Sequence, residues 1–338
     1  MAESQALRVV SRSLTMNMVD LERKRLLKEP RGSVTVSGRA ALILSLPLIS
    51  AGTLIILVSE RVVPLDLGIG DFPQWIITSF GAVLLGAGIL TLFEGLWGLV
   101  LQARRKGMIL RHPGEPWYAD HPWDPYGIRD DGLPQTLRGL IGTLLFVLFL
   151  LPINGVAFFL QSESILIICI VGLFDLIVAG SAWYGLYKLI RVCKYGRSSL
   201  KFKTFPAHPG ETIELQFQTR TDLSHFESID YTLRFVEEIL VTTRSARSSR
   251  TSLRCYQLYS ETQTVEGAEA VFLSGLEKDL SFEIPDRGLI TNLSKNPPSY
   301  WELEIKAAAP GIDFLARFPL PIYEGQPSRE ELQAVCSY

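Results

Sequence analysis

The stretch that most narrows what this chain can become runs from Ser164 to Lys203. An apolar span, Ser164 to Leu189, leads into Lys188, Arg191, Lys194, Arg197, Lys201 and Lys203. As a helix the span is long enough to cross the roughly 30 Å hydrocarbon layer, and the basic run marks its end as cytoplasmic. Three earlier apolar runs have comparable length: Ala40 to Ser59, about Gln74 to Leu101, and about Gly139 to Leu160. Segment 40–192 therefore reads as a four-helix transmembrane domain with spans over 40–59, 74–101, 139–160 and 164–189.

Lys and Arg set the orientation of those spans. The tail 1–39 holds Arg8, Arg12, Arg23, Lys24, Arg25, Lys28, Arg31 and Arg39, and the loop 102–138 holds Arg104, Arg105, Lys106, Arg111, Arg129 and Arg138. Of the two opposite loops, one holds Arg61 alone and the other no Lys or Arg. Both termini and the middle loop are thus expected on the cytoplasmic side of an inner (plasma) membrane. The 39 mostly polar residues ahead of the first span do not read as a cleavable leader, so that span is expected to remain as an anchor. Residues 5–29 place Leu7, Val10, Leu14, Met18 and Leu21 at helical spacing among basic residues. This pattern reads as a solvated tail or as an amphipathic helix on anionic lipid. Cys169, Cys193, Cys255 and Cys336 include no CxxC pair, and free thiols are expected.

Past Lys203 the period changes from helical to alternating. Ile213, Leu215 and Phe217 alternate with Glu214 and Gln216; Tyr231, Leu233 and Phe235 with Thr232 and Arg234; Trp301, Leu303 and Ile305 with Glu302 and Glu304. Alternation of this kind predicts strands with one buried face. Further strands are expected over 253–264, 278–284 and 312–320. About seven short strands between residues 199 and 325 predict an all-β antiparallel sandwich in the cytosol, with a tail over 326–338.

Two acids lie inside the predicted spans, where a carboxyl is a functional candidate by default. Glu94 shares a helix face with Ala82, Gly86 and Leu90, and Asp175 shares one with Gly172, Ala179 and Ala182. Small residues let helices approach closely, so both acids are expected to face protein. They read either as helix glue, hydrogen-bonded to Asn154, Thr91, Ser181 or backbone carbonyls, or as a proton or cation relay.

The middle loop carries Pro113, Gly114, Glu115, Pro116 and Trp117, then Tyr118 and Trp123. It is too rich in proline for helix or strand, and its aromatic residues predict an ordered loop packed at the membrane surface or on the sandwich. His112, Glu115, Asp120, His121 and Asp124 are weak metal-ligand candidates, since their spacing matches no known pattern. Residues 242–254, with Arg244, Arg247, Arg250 and Arg254, read as a basic solvated hairpin tip, or as a contact for lipid phosphate; nucleic acid is not an expected partner.

The PGEPW element and the Trp123-Asp124-Pro125 that follows resemble a family of bacterial multi-span membrane proteins of unassigned function, in which such a loop connects membrane helices. Leu280 to Pro285, Tyr300 to Ile305, Pro310 to Asp313 and Phe318 to Ile322 are similar to that family's cytosolic half. The resemblance implies an arrestin-like, or immunoglobulin-like, C-terminal sandwich and brings no catalytic residues. The sequence holds no Gly-rich phosphate loop, nucleophile elbow or HExxH, and no cofactor is expected. The expected role is protein binding or scaffolding at the bilayer, with a protein partner or a second copy. A small transporter, channel or channel subunit using Glu94 and Asp175 is the alternative, and a membrane-bound metal-dependent hydrolase comes third.

Overall fold

The computed structural model describes residues 23–32, 38–63, 73–130, 132–159, 165–220, 226, 228–245, 248–266, 277–308 and 311–325. Its elements in chain order are β1 (Lys24–Leu26), α1 (Gly38–Ser59), α2 (Gln74–Arg111), α3 (Trp117–Asp120), β2 (Gly127–Arg129), α4 (Gly132–Phe159) and α5 (Ile165–Tyr195). Then come β3 (Ser199–Phe202), β4 (Thr212–Gln218), β5 (Ser228–Ser245), β6 (Ser248–Glu266), β7 (Glu277–Glu283), β8 (Ser299–Ala307) and β9 (Phe314–Leu320). The chain divides into two units: Thr35–Lys106 with Leu133–Ile190, and Met1–Val34 with Gly107–Gly132 and Arg191–Tyr338.

The first of these units is helical. Four helices are long and apolar enough to cross a membrane, and at most 17% of any span's apolar window is buried inside the chain. Side chains such as Phe93, Trp97, Leu176 and Trp183 look outward instead, as helices in lipid require. The helices overrun the predicted limits: α2 continues to Arg111, α4 begins at Gly132, and α5 runs to Tyr195. Residues 102–111 are mostly good helix formers, with Gly107 alone against them and no proline before Pro113, so nothing ends α2 at the hydrocarbon boundary. Helices α1 and α2 meet through small residues spaced seven apart, Ser45, Gly52 and Ser59 against Gly81, Gly88 and Gly95. A methyl group on Gly52 would come within 2.4 Å of the Leu85 nitrogen, so the two backbones touch where only glycine fits.

The second unit holds two antiparallel sheets, ordered β1-β6-β5-β8-β9 and β2-β3-β4-β7. The predicted alternation is what packs them: Ile213, Leu215 and Phe217 from one sheet and Tyr231, Leu233, Phe235, Trp301, Leu303 and Ile305 from the other form one buried core. Phe217 bridges the layers, 6.3 Å from Tyr231 and 6.2 Å from Phe318, ring centre to centre. The last residue of α5, Tyr195, enters this core edge-on to Phe314 and donates its hydroxyl to the Ile312 carbonyl.

Two short strands come from outside the C-terminal segment. In the middle loop, Gly127–Arg129 pairs with Ser199–Lys201, so this loop forms a strand despite its prolines. A side chain on residue 127 would lie 2.5 Å from the Leu200 carbonyl oxygen, which makes glycine the residue that admits the pairing. In the tail, Lys24–Leu26 pairs with Cys255–Gln257. The described part of the tail is therefore extended rather than helical, because the edge of β6 supplies main-chain partners that a lone helix with a narrow apolar stripe lacks. Residues 5–22 lie outside the described residues.

Candidate functional site

The outer face of the five-stranded sheet carries a buried polar cluster. Strand geometry puts Arg234, Val236 and Glu238 of β5 on the face opposite the core, beside Tyr300, Glu302 and Glu304 of β8, with Arg234 across from Glu302 and Val236 across from Tyr300. Strand β8 is thus buried on both faces, whereas its alternation predicts one wet face. Tail residues 23–32 cover that second face.

Charge and hydrogen bonding hold the cover in place. Lys28 donates to both carboxylate oxygens of Glu302, at 2.8 and 2.7 Å, and neither side chain is more than 3% exposed. Arg234 donates to Glu302 at 2.7 Å and to Glu304 at 2.6 Å, and Arg317 donates to Glu304 at 2.6 Å. Glu238 accepts the backbone N–H groups of Arg31 (2.6 Å) and Gly32 (2.8 Å) and the Tyr300 hydroxyl (2.8 Å). Arg23 reaches Glu237 at 2.5 Å, and the cations of Lys28 and Arg31 sit 5.0 and 5.5 Å from the Tyr300 ring centre. Burial alone would raise the Glu302 carboxyl, but Lys28, Arg234 and Arg31 outweigh it and hold the group at about 2. Burial pulls Lys28 below its ordinary value, and burial pushes the Tyr300 hydroxyl well up.

The PGEPW loop docks on the same unit by a second polar site. Asp120, at the end of α3, accepts the backbone N–H groups of Leu293 (3.0 Å) and Ser294 (2.5 Å) and the Tyr323 hydroxyl (2.6 Å). The Tyr323 oxygen in turn accepts from the Trp123 indole at 2.8 Å, and Trp117 lies against the Tyr323 ring at 6.0 Å. Burial, with the Asp120 charge beside it, drives the Tyr323 hydroxyl far upward. Pro113, Gly114 and Pro116 are exposed, while Trp117 and Trp123 are half-buried as their aromaticity predicts.

The metal candidates do not come together. His112 bonds Glu115 at 3.1 Å, Asp120 is committed to the Leu293–Ser294 turn, and His121 stacks edge-on to Trp123. Asp124 accepts from the Tyr126 backbone. Among the described residues no three His, Cys, Asp or Glu side chains gather around one point.

In the helical unit, Asn154 donates to Asp175 at 3.1 Å, the glue reading's bond. Both acids are exposed in the single chain, Asp175 even with this bond to the neighbouring helix. The stripe of Ala82, Gly86 and Leu90 lines an apolar cavity of about 400 Å³ with Leu148, Phe149 and Pro152, while the tight packing falls to Gly81, Gly88 and Gly95. The reason is spacing: a seven-residue repeat keeps facing a partner helix, and the four-residue repeat that carries Glu94 drifts away from it. Thr91 bonds its own helix at Ala87. Arg244 and Arg250 are exposed on the two strands of a long hairpin, Arg254 is half-buried on β6, and Arg247 lies outside the described residues. The basic stretch is therefore mostly paired strand rather than loop.

Sequence reasoning missed the Lys28–Glu238–Tyr300–Glu302 cluster and the Asp120–Tyr323 contact, since their members are up to 274 residues apart. One local signal was present: Tyr300 and Trp301 are adjacent, so one of two large aromatic side chains must sit on the supposedly wet face.

No family model and no curated protein matches the chain. Among solved structures, that of Spo0M, a sporulation control protein from Bacillus subtilis, matches over 41% of this chain and 54% of its own, at 13% identity and a TM-score of 0.23. The chain spans about half the length of that protein. A beta-glucosidase from Listeria innocua in complex with gluconolactone matches over 38% of this chain and 16% of its own, at 15% identity and a TM-score of 0.15.

Proposed function

We propose that this protein is a membrane-anchored scaffold, in which four spans hold an arrestin-like β-sandwich at the cytoplasmic face for binding other proteins. The observation that carries this reading is that the sandwich already binds extended segments by strand addition, β1 on β6 in one sheet and β2 on β3 in the other. Strands β9 and β7 stand at the opposite ends of the two sheets. Topology adds support. Strand β1 precedes the first span, β2 lies between the second and third, and β3 to β9 follow the fourth, so all three segments share one side of the bilayer. The Lys and Arg bias favours the cytoplasmic side. Cross-linking and affinity purification from the native membrane test the reading: a partner protein, or a second copy, is recovered, and recovery persists when Glu94→Gln and Asp175→Asn are introduced.

A second reading, a channel or transporter subunit, draws on the exposed Glu94 and Asp175, because a carboxyl facing lipid is costly and usually kept for a purpose. Ion flux in liposomes that vanishes with Glu94→Gln, together with partner recovery lost on the same change, would move the assignment to it.

A further inference from the structure

Residues 23–32 lie on the sheet in the manner of a bound ligand. Among the described residues of the tail none belongs to the main core, and the apolar anchor is Leu26, which packs on the small cluster of Val236, Cys255 and Tyr300. The neighbouring Leu27 is 91% exposed. What holds the segment is three residues of strand pairing, the cations of Arg23 and Lys28 on Glu237 and Glu302, and two consecutive N–H groups on Glu238. Main-chain pairing for affinity with side-chain pockets for choice is how sheet edges recognise peptides.

The pockets are specific. Lys28 and Arg31 both flank the Tyr300 ring, and the next position must be glycine, because a side chain there would come within 2.6 Å of Pro298. The site also tolerates being emptied. A buried carboxylate stripped of its partner is strongly destabilising, but Glu302 keeps the Arg234 guanidinium, and Glu238 keeps the Tyr300 hydroxyl, when the tail departs.

We propose that this acid-lined sheet face is a receptor for an extended basic segment of a partner protein, of the pattern Lys-x-x-Arg-Gly, and that residues 23–32 are a resident ligand that closes it until displaced. The proposal rests on the scaffold reading and gives it a partner chemistry. A tethered ligand competes at high effective concentration, so the resident must be loosened before a free peptide is seen to bind.

The test uses the full chain in detergent and a fluorescent synthetic peptide of residues 23–32. Leu26→Pro disfavours the paired strand and removes the apolar anchor of the resident, and leaves every acid in place. It should bind the peptide at least tenfold more tightly than the wild type, with binding lost when the peptide carries Lys28→Ala and Arg31→Ala, or Gly32→Val. A folded Leu26→Pro protein that takes up the altered peptides equally well, or none of them, overturns the proposal. A second measurement stands even if that variant does not fold. In a chain with Lys24→Cys and Gln257→Cys, and Cys169, Cys193 and Cys336 replaced by serine, excess peptide should slow closure of the new disulfide several-fold, and a scrambled peptide should not. Equal closure rates with both peptides overturn the idea. Partner recovery from native membranes that persists after such a result removes the peptide site alone and leaves the scaffold reading standing.

Discussion

At the scale of single residues, Glu302 carries the largest consequence. It is fully buried on a sheet face, it stays charged, and it is the acid that Lys28 and Arg234 both reach. Replacing it by glutamine leaves the Lys28 ammonium buried without its counter-charge, and losses of about 3 kcal/mol or more follow from breaking such a pair one-sidedly. Urea unfolding followed by near-UV dichroism should register that loss in Glu302→Gln and recover much of it in the double change with Lys28→Met. The pH dependence has a definite sign. A carboxyl held at about 2 in the fold and 4.5 outside it stabilises fully above 4.5, and that contribution, on the order of 3 kcal/mol, is lost as pH falls toward 2. The unfolding midpoint of the wild type should therefore drop over that interval, and the drop should be shallower in Glu302→Gln.

At the scale of elements, the decisive feature is that three-residue strands are kept in the sheets by close fit. Gly127→Val would press a side chain into the Leu200 carbonyl, detach β2, and expose the amides around Leu200 to solvent. Hydrogen exchange there should speed up by at least tenfold while the β5–β8 ladder stays protected. Such elements also mark where sequence and fold part company. The spans and the strands of the core were legible because each repeats a period: long apolar runs for α1, α2, α4 and α5, and strict alternation for β4, β5 and β8. Strands of three residues such as β1 and β2 have no period to read, and their partners lie far along the chain. Helix α2 carries two small-residue stripes, and only contacts tell that the seven-spaced glycines pack tightly on α1 while the four-spaced one ending at Glu94 borders a cavity. The charge of the tail suits solvent or anionic lipid equally, yet Arg23 and Lys28 are spent on glutamates of the sandwich.

At the scale of the whole molecule, shared sheets tie three separated segments to one compartment. Cysteines placed at Arg25, Tyr126 and Arg250, all exposed, should label from the same side of sealed membranes, and on the proposed orientation that side is the cytoplasm. Labelling of any one of them from the opposite side would break the topology. The same interleaving has a bearing on biogenesis. A ribosome delivers Arg25 long before Tyr256, the residue it must lie beside, and Ile128 well before Leu200. Neither sheet can be completed until all four long apolar helices have been made, and, if each spans the bilayer as proposed, one helix inserted backwards would leave β1 or β2 across it from its mate. On the proposed topology, a misthreaded copy would be left with a bare strand edge at β6 or β3.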